Sequence, residues 1–182
     1  MKKWLKRILL GLCLVALLAW ACSYLLPATT RIVHTVRIQA APETLYPRLA
    51  TLRRWPEWTA WNTNRFPDVQ FEFRGPATGV GSTMIARGKS SGDGAVEITR
   101  ADPARGVDYQ LDFEHGRQIF LGSIICETNS GALDVTWTLQ AKWAGHPLKR
   151  YVGLVLDPLM GGDMQQGLDN LKRECEAGDP TP

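Results

Sequence analysis

Residues 41–62 read APETLYPRLATLRRWPEWTAWN. Pro42 suits the first position of a helix, and Glu43 suits the positive end of the helix dipole. Leu45 and Leu49 are four apart and share one face. Pro47 keeps this helix short. A second short helix or turn is expected through residues 52–58. Indole rings follow one another at Trp55, Trp58 and Trp61. Large rings with a polar N–H can pack short helices onto a sheet edge, or can line the mouth of a cavity. Trp61 is the one expected at such a mouth.

Strand patterns lie on both sides. Upstream, in residues 31–40, Ile32, His34, Val36 and Ile38 alternate with Val33, Thr35 and Arg37, which predicts a strand. Downstream, Val69, Phe71 and Phe73 alternate with Gln70, Glu72 and Arg74. Further strands are predicted at about 82–88, 95–100, 107–113, 117–127 and 132–143, separated by Gly-, Pro- and Asn-containing turns. Strands joined so closely form an antiparallel meander. Residues 147–176 then carry a helical pattern. Leu148, Val152, Val155 and Leu159, then Met164, Leu168, Leu171 and Cys175, recur at threes and fours apart from one step of five. Asp163, Gln165, Asp169, Lys172 and Arg173 fill the other face. Asp157-Pro158 and Gly161-Gly162 predict a kink.

This order is α+β: one strand, two short helices, six strands and one long helix. It predicts a curved seven-stranded antiparallel sheet wrapped on a long C-terminal helix, the only element long enough to cover an apolar face of that size. A straight helix cannot fill a concave sheet, so a gap between them is expected.

Residues 8–26, ILLGLCLVALLAWACSYLL, carry no charge. As a helix they reach roughly 28 Å, enough for a bilayer core. Trp4 precedes the run, and Trp20 and Tyr24 stand near its far end, where amphipathic rings prefer the interface. Lys2, Lys3, Lys6 and Arg7 come before it, and only Arg31 and Arg37 follow closely. The positive-inside rule then predicts a single-pass signal anchor in the inner (cytoplasmic) membrane, N-terminus inside, with the domain on the periplasmic or extracytoplasmic side. Cleavage after Ala19-Trp20-Ala21 and lipidation of Cys22 are the two alternatives. The expected division is a basic flank at 1–7, a transmembrane helix at 8–26, a linker at 27–30, a domain at 31–177 and a disordered tail at 178–182.

The net charge of +3 comes from that basic flank, and the rest sums to about −1. The charge therefore marks membrane topology, and no nucleic-acid partner is expected. Cys126 and Cys175 are the only cysteines beyond the leader, without metal-ligand spacing. Two buried thiols are the simpler reading, and a bridge between them is the alternative.

The order of elements and residues 41–62 resemble the START-like superfamily, also called SRPBCC or the polyketide cyclase/dehydrase and lipid-transport superfamily. Ala41-Pro42-Glu43 and the Trp55, Trp58, Trp61 series match its characteristic text. So do Gly75-Pro76, Gly79-Val80-Gly81, Val135-Thr136-Trp137 and Gly167-Leu168-Asp169-Asn170-Leu171-Lys172. Pro47 inside the first helix and Ala41, where a proline is common, depart from it. The resemblance covers about residues 31–177 and implies a helix-grip fold. Its motifs are structural, so they bear on fold far more than on activity.

No residue pattern completes a catalytic site. The loop at 75–81 lacks G-K-[ST] and reads as a hairpin turn. His34, His115 and His146 lack ligand spacing and read as surface residues. Asp108 and Asp112 alternate with Tyr109 and Leu111, which puts the carboxylates on the solvent face; Glu97 and Asp134 read the same way. No metal or cofactor is expected. Tyr109, Leu111, Trp137, Met160 and Met164 point by periodicity into the gap between helix and sheet. With Trp61 they are the candidate cavity lining. The expected partners are the bilayer and a hydrophobic or amphipathic, lipid-like small molecule. A cyclase- or hydrolase-type enzyme and a ligand-free envelope module are the alternatives.

Overall fold

The computed structural model describes residues 2–113, 116, 118–143, 145 and 147–177. Helix α1 spans Lys2–Ser23 and is followed by β1, Thr29–Ile38. Two short helices come next: α2, Pro42–Ala50, and α3, Trp55–Trp58. Six strands follow: β2 Gln70–Arg74, β3 Thr83–Arg87, β4 Gly94–Asp102, β5 Gly106–Phe113, β6 Gln118–Asn129 and β7 Ala132–Lys142. The last element is α4, Arg150–Ala177.

The seven strands form one antiparallel, curved sheet in the order β1-β7-β6-β5-β4-β3-β2. The meander predicted from the short turns is therefore what forms, and β1 closes it by pairing with β7. A bulge between Ile98 and Arg100 in β4 strengthens the local twist. At this bulge Arg100 makes two hydrogen bonds to Asp108, Nε to Oδ2 at 2.6 Å and Nη2 to Oδ1 at 3.2 Å. Asp108 thus stays on the outer face, as the period-two pattern predicts.

One core joins the inner face of the sheet to the helices. Ile38, Leu45, Leu49, Trp58, Ile98, Ile124, Leu168 and Leu171 are fully enclosed in it. No buried apolar side chain of this core comes from α1, whose described side chains face outward along the apolar run.

The structure bears on four sequence expectations. First, α1 takes in most of the basic flank and ends at Ser23 rather than at Leu26. Its last turn is closed by the Ser23 hydroxyl, which donates to the Trp20 carbonyl at 2.6 Å. Second, Pro158 and Gly161-Gly162, where the kink is expected, lie inside one unbroken helix, α4. Third, His34 is not a free surface residue. It points under α4, with Nδ1 3.2 Å from Gln165 Oε1 and Nε2 3.3 Å from Asp157 Oδ1. Gly161 makes the room, since a Cβ there would lie 2.8 Å from His34 Nε2. Fourth, the first apolar stripe, expected to face the core, faces away from it; Leu148 in the turn before α4 and Val152, Val155 and Leu159 in α4 are exposed. His115, His146 and the tail expected at 178–182 lie outside the described residues.

Cys126 and Cys175 are thiols here, with no disulfide between them. Burial first, then the neighbouring Cys175, pushes the Cys126 thiol up to about 12. At pH 8 almost none of it is the reactive thiolate. Both side chains should resist a thiol reagent in the native protein and react once the chain is denatured without reductant. Reaction only after reduction would establish the bridge instead.

Candidate functional site

Helix α2 and the turn after it set the aromatic wall of the core. Trp55 donates its indole N–H to the Leu49 carbonyl at 2.9 Å. This fixes a ring that meets Tyr109 edge-on at 5.1 Å and Trp58 at 5.5 Å. Trp58 in turn meets Trp137 at 5.4 Å. Trp137 closes the circuit by donating Nε1–H to the Tyr109 hydroxyl at 2.7 Å. Edge-to-face contacts of this kind add about 0.5–1.5 kcal/mol each beyond area burial.

Gly122 is the seat of this circuit. It pairs across the ladder with Tyr109, and a Cβ there would collide with the Tyr109 ring. The ring lies flat on the strand because nothing projects from position 122.

In front of this wall lies a cavity of about 80 Å³. All six residues singled out in the sequence border it: Trp61, Tyr109, Leu111, Trp137, Met160 and Met164. Further lining comes from Phe66, Phe71, Met84, Val96 and Phe113. Pattern reading passed over these because an inward apolar side chain looks the same whether it meets a neighbour or a void. Trp55 also borders the cavity, although the sequence reading gave it packing alone. Trp58 stays behind the wall, fully buried.

The loop after α3 carries Trp61 and Phe66 to the mouth. Asn62 holds it, accepting from the Asn64 and Arg65 amides at 3.0 and 3.1 Å and donating to the Thr59 carbonyl at 2.8 Å. Arg65 pairs with Asp163 on α4. Asn170 donates to the Trp58 carbonyl at 3.0 Å, pinning α4 over α3.

The lining is almost wholly apolar. Its hydroxyls belong to Thr59, Ser91 and Tyr109. Thr59 donates to the Trp61 carbonyl at 3.4 Å and Ser91 to the Gly92 carbonyl at 3.1 Å. The Tyr109 oxygen accepts from Trp137, and among the described residues nothing accepts its own hydrogen. Burial, opposed only by that indole hydrogen bond, holds the Tyr109 phenol well above its ordinary range. It is a neutral donor at any physiological pH. No carboxylate, imidazole or thiol among the described residues lines the cavity. Among the described residues, no group of three or more His, Cys, Asp or Glu side chains converges on a metal position. A larger groove of about 780 Å³ runs past Glu57, Arg65, Asn170 and Arg173, but it is open to solvent and polar.

Comparison with known proteins assigns this architecture. The family model described as polyketide cyclase / dehydrase and lipid transport matches residues 29–176. The chain belongs to that family.

This family is of the SRPBCC, START-like type, and solved structures share its fold. The di-domain ARO/CYC protein StfQ, from the steffimycin biosynthetic pathway, superposes with a TM-score of 0.61 at 9% identity, covering 82% of this chain and 51% of that one. The Aha1 dimer from Colwellia psychrerythraea gives 0.54 at 23% identity, covering 82% and 98%. Norcoclaurine synthase from Thalictrum flavum, solved with dopamine and hydroxybenzaldehyde, gives 0.56 at 13% identity, covering 80% and 85%. At these identities the likeness is one of fold. No curated protein sequence matches the chain. Members of the family are hydrophobic-ligand-binding or cyclase-like domains, and the helix-grip arrangement seen here is theirs. Beside the domain, Trp4–Ser23 of α1 is long and apolar enough to cross a membrane.

Proposed function

We propose that this SRPBCC domain is a membrane-tethered binding module for a hydrophobic or amphipathic, lipid-like small molecule, held between α4 and the sheet. One observation carries the reading. An apolar cavity is bordered by a buried hydroxyl, that of Tyr109, whose hydrogen meets no acceptor among the described residues, whereas Thr59 and Ser91 already donate theirs. Apolar walls with one placed polar group are what orient a small ligand. The ligand therefore presents an acceptor, such as a carbonyl, ester or ether oxygen, to Tyr109. The cavity, of about 80 Å³, is smaller than the roughly 300–1,000 Å³ of drug-sized pockets. It takes a ring or a short chain. The rest of a longer ligand lies in the mouth, where the unbranched Met160 adapts its shape. Trp61, Leu111, Trp137 and Met164 supply the remaining apolar contact. Norcoclaurine synthase, seen with two small aromatic compounds, is a precedent for small-molecule binding on this fold.

The rival within the family is cyclase-like chemistry. General acid–base catalysis needs a group titrating near the working pH. Among the described lining residues the one titratable group is Tyr109, which burial keeps protonated. Binding is favoured on that ground.

Lipid extracted from the purified full-length chain and identified by mass spectrometry should contain an acceptor-bearing apolar compound. Tyr109→Phe should lower its retained amount several-fold while leaving a pure hydrocarbon probe unaffected. Equal retention by the variant would remove Tyr109 from binding. A parent protein that retains nothing and takes up no apolar probe would remove the reading itself.

In this reading the apolar run at 8–26, helical as far as Ser23, anchors the chain, 27–30 link and 31–177 form the domain. The four basic residues before the anchor support an orientation with the domain outside the cytoplasm. A reporter fused after Pro182 should be active only in the extracytoplasmic compartment. Activity in the cytoplasm would reverse the orientation.

A further inference from the structure

Helix α4 changes character half-way. From Gly162 on, its outward side chains include Gln166, Asp169, Arg173 and Glu176, as expected for a helix on a soluble domain. Before that the outward side chains are mostly apolar. Leu148, Tyr151, Val152, Leu154, Val155 and Leu159 are all exposed, from 36% for Tyr151 to 65% for Leu159. Leu148, Tyr151, Val152, Val155 and Leu159 fall within one stripe about 100° wide at 3.6 residues per turn. A contiguous apolar surface of this kind marks an interaction site.

The neighbour of this stripe is the end of α1. Arg150 Nη1 reaches the carbonyl oxygens of Ser23, Tyr24 and Leu26 at 3.4, 3.2 and 3.1 Å. Its guanidinium also sits over the Tyr24 ring, 5.5 Å from the centroid. The Tyr151 hydroxyl donates to the Ala19 carbonyl at 2.8 Å. The first turn of α4 is thus fastened at the level of Trp20 and Tyr24, whose rings stack edge-on at 5.1 Å. Such rings mark the boundary between acyl chains and headgroups when a helix of this kind spans a bilayer.

We infer that the first half of α4 with the turn before it, from Leu148 to Leu159, lies in the lipid interface of the leaflet from which α1 emerges, with this stripe against the acyl chains. The inference rests on α1 being a membrane span and goes beyond tethering. The apolar side chains continue the surface of the span, while Lys149 and Arg150 at its edge suit the headgroup layer. The stripe ends at Leu159, one residue before Met160 at the cavity mouth. A docked α4 holds that mouth against the leaflet, so an apolar ligand enters without crossing bulk water.

The test uses the full-length chain, with Cys13→Ser and Cys22→Ser, reconstituted in phosphatidylcholine and phosphatidylglycerol vesicles. Spin labels are placed singly at Val155→Cys, at Gln166→Cys and, for the span, at Val15→Cys; none of these side chains is buried. Collision with oxygen, which partitions into lipid, is compared with collision with a water-soluble nickel chelate. The expected result is a ratio several-fold higher at Val155→Cys than at Gln166→Cys, approaching that at Val15→Cys. A high ratio at Val15→Cys with equal low ratios at the other two would overturn the docking and leave the tether standing. A low ratio at Val15→Cys would overturn the tether and the docking with it. Dipolar broadening between Val155→Cys labels on two chains would show a second copy on the stripe and overturn the lipid assignment.

Discussion

Leu171→Ala should lower stability by about 2–5 kcal/mol, the usual range for truncating an enclosed leucine. Leu171 is 0% exposed and lies where α4 meets the sheet, away from the cavity. Its neighbours Leu168 and Cys175 are buried as well. Fixed backbone of helix and sheet surrounds the site, so little collapse can fill the hole. For a domain of this size the loss corresponds to a fall in melting temperature of roughly 5–15 °C. The measurement is thermal unfolding of the fragment that begins at Pro27. Buried apolar residues begin only at Ile32, so this fragment keeps the whole core. A change under 1 kcal/mol would mean that the second half of α4 does not close the core.

How much of this was legible in the sequence depends on which physical signal each part leaves. The sheet was legible because its strands alternate with period two between short turns, and a meander is the only topology such turns permit. The resemblance carried by Ala41-Pro42-Glu43 and the tryptophan series pointed to the same fold, and the family match bears it out. The orientation of α4 was only half legible. Its apolar residues keep helical spacing throughout, and both halves were read as one core-facing stripe. The step of five from Leu159 to Met164 was the available signal. Five residues turn the helix by about 140° beyond one full turn, against about 40° for a step of four. The stripe leaves one face there and resumes on the opposite one. Periodicity says which residues share a face; it does not say what that face meets.

His34 shows the same limit. Strand alternation put it on the inner face with Ile32 and Val36, yet histidine in a strand invites a surface reading. Only the approach of Asp157 and Gln165, more than a hundred residues later, gives both ring nitrogens a partner. Tyr109, Leu111, Trp137, Met160 and Met164 were picked out by periodicity, as side chains facing the gap between helix and sheet, and Trp61 by its place in the tryptophan series. The hydrogen bond from Trp137 to Tyr109 was not. It depends on the register that sets β5 beside β6 and β6 beside β7, and on a bare glycine at position 122.

Met164→Trp tests the central claim, that a ligand-sized void separates α4 from the sheet. Met164 is 1% exposed and borders the cavity beside Trp137. If the void is real, the added ring atoms occupy it and the domain keeps its fold. If the core is filled, the same substitution overpacks it at a cost of roughly 1–3 kcal/mol. The decisive measurement pairs thermal unfolding of the Pro27 fragment with a fluorescence titration using anilinonaphthalene sulfonate. The predicted result is saturable dye binding by the parent, at least tenfold weaker binding by Met164→Trp, and melting temperatures within a few degrees of each other. A parent that binds no dye, together with a Met164→Trp variant that melts markedly lower, would contradict it.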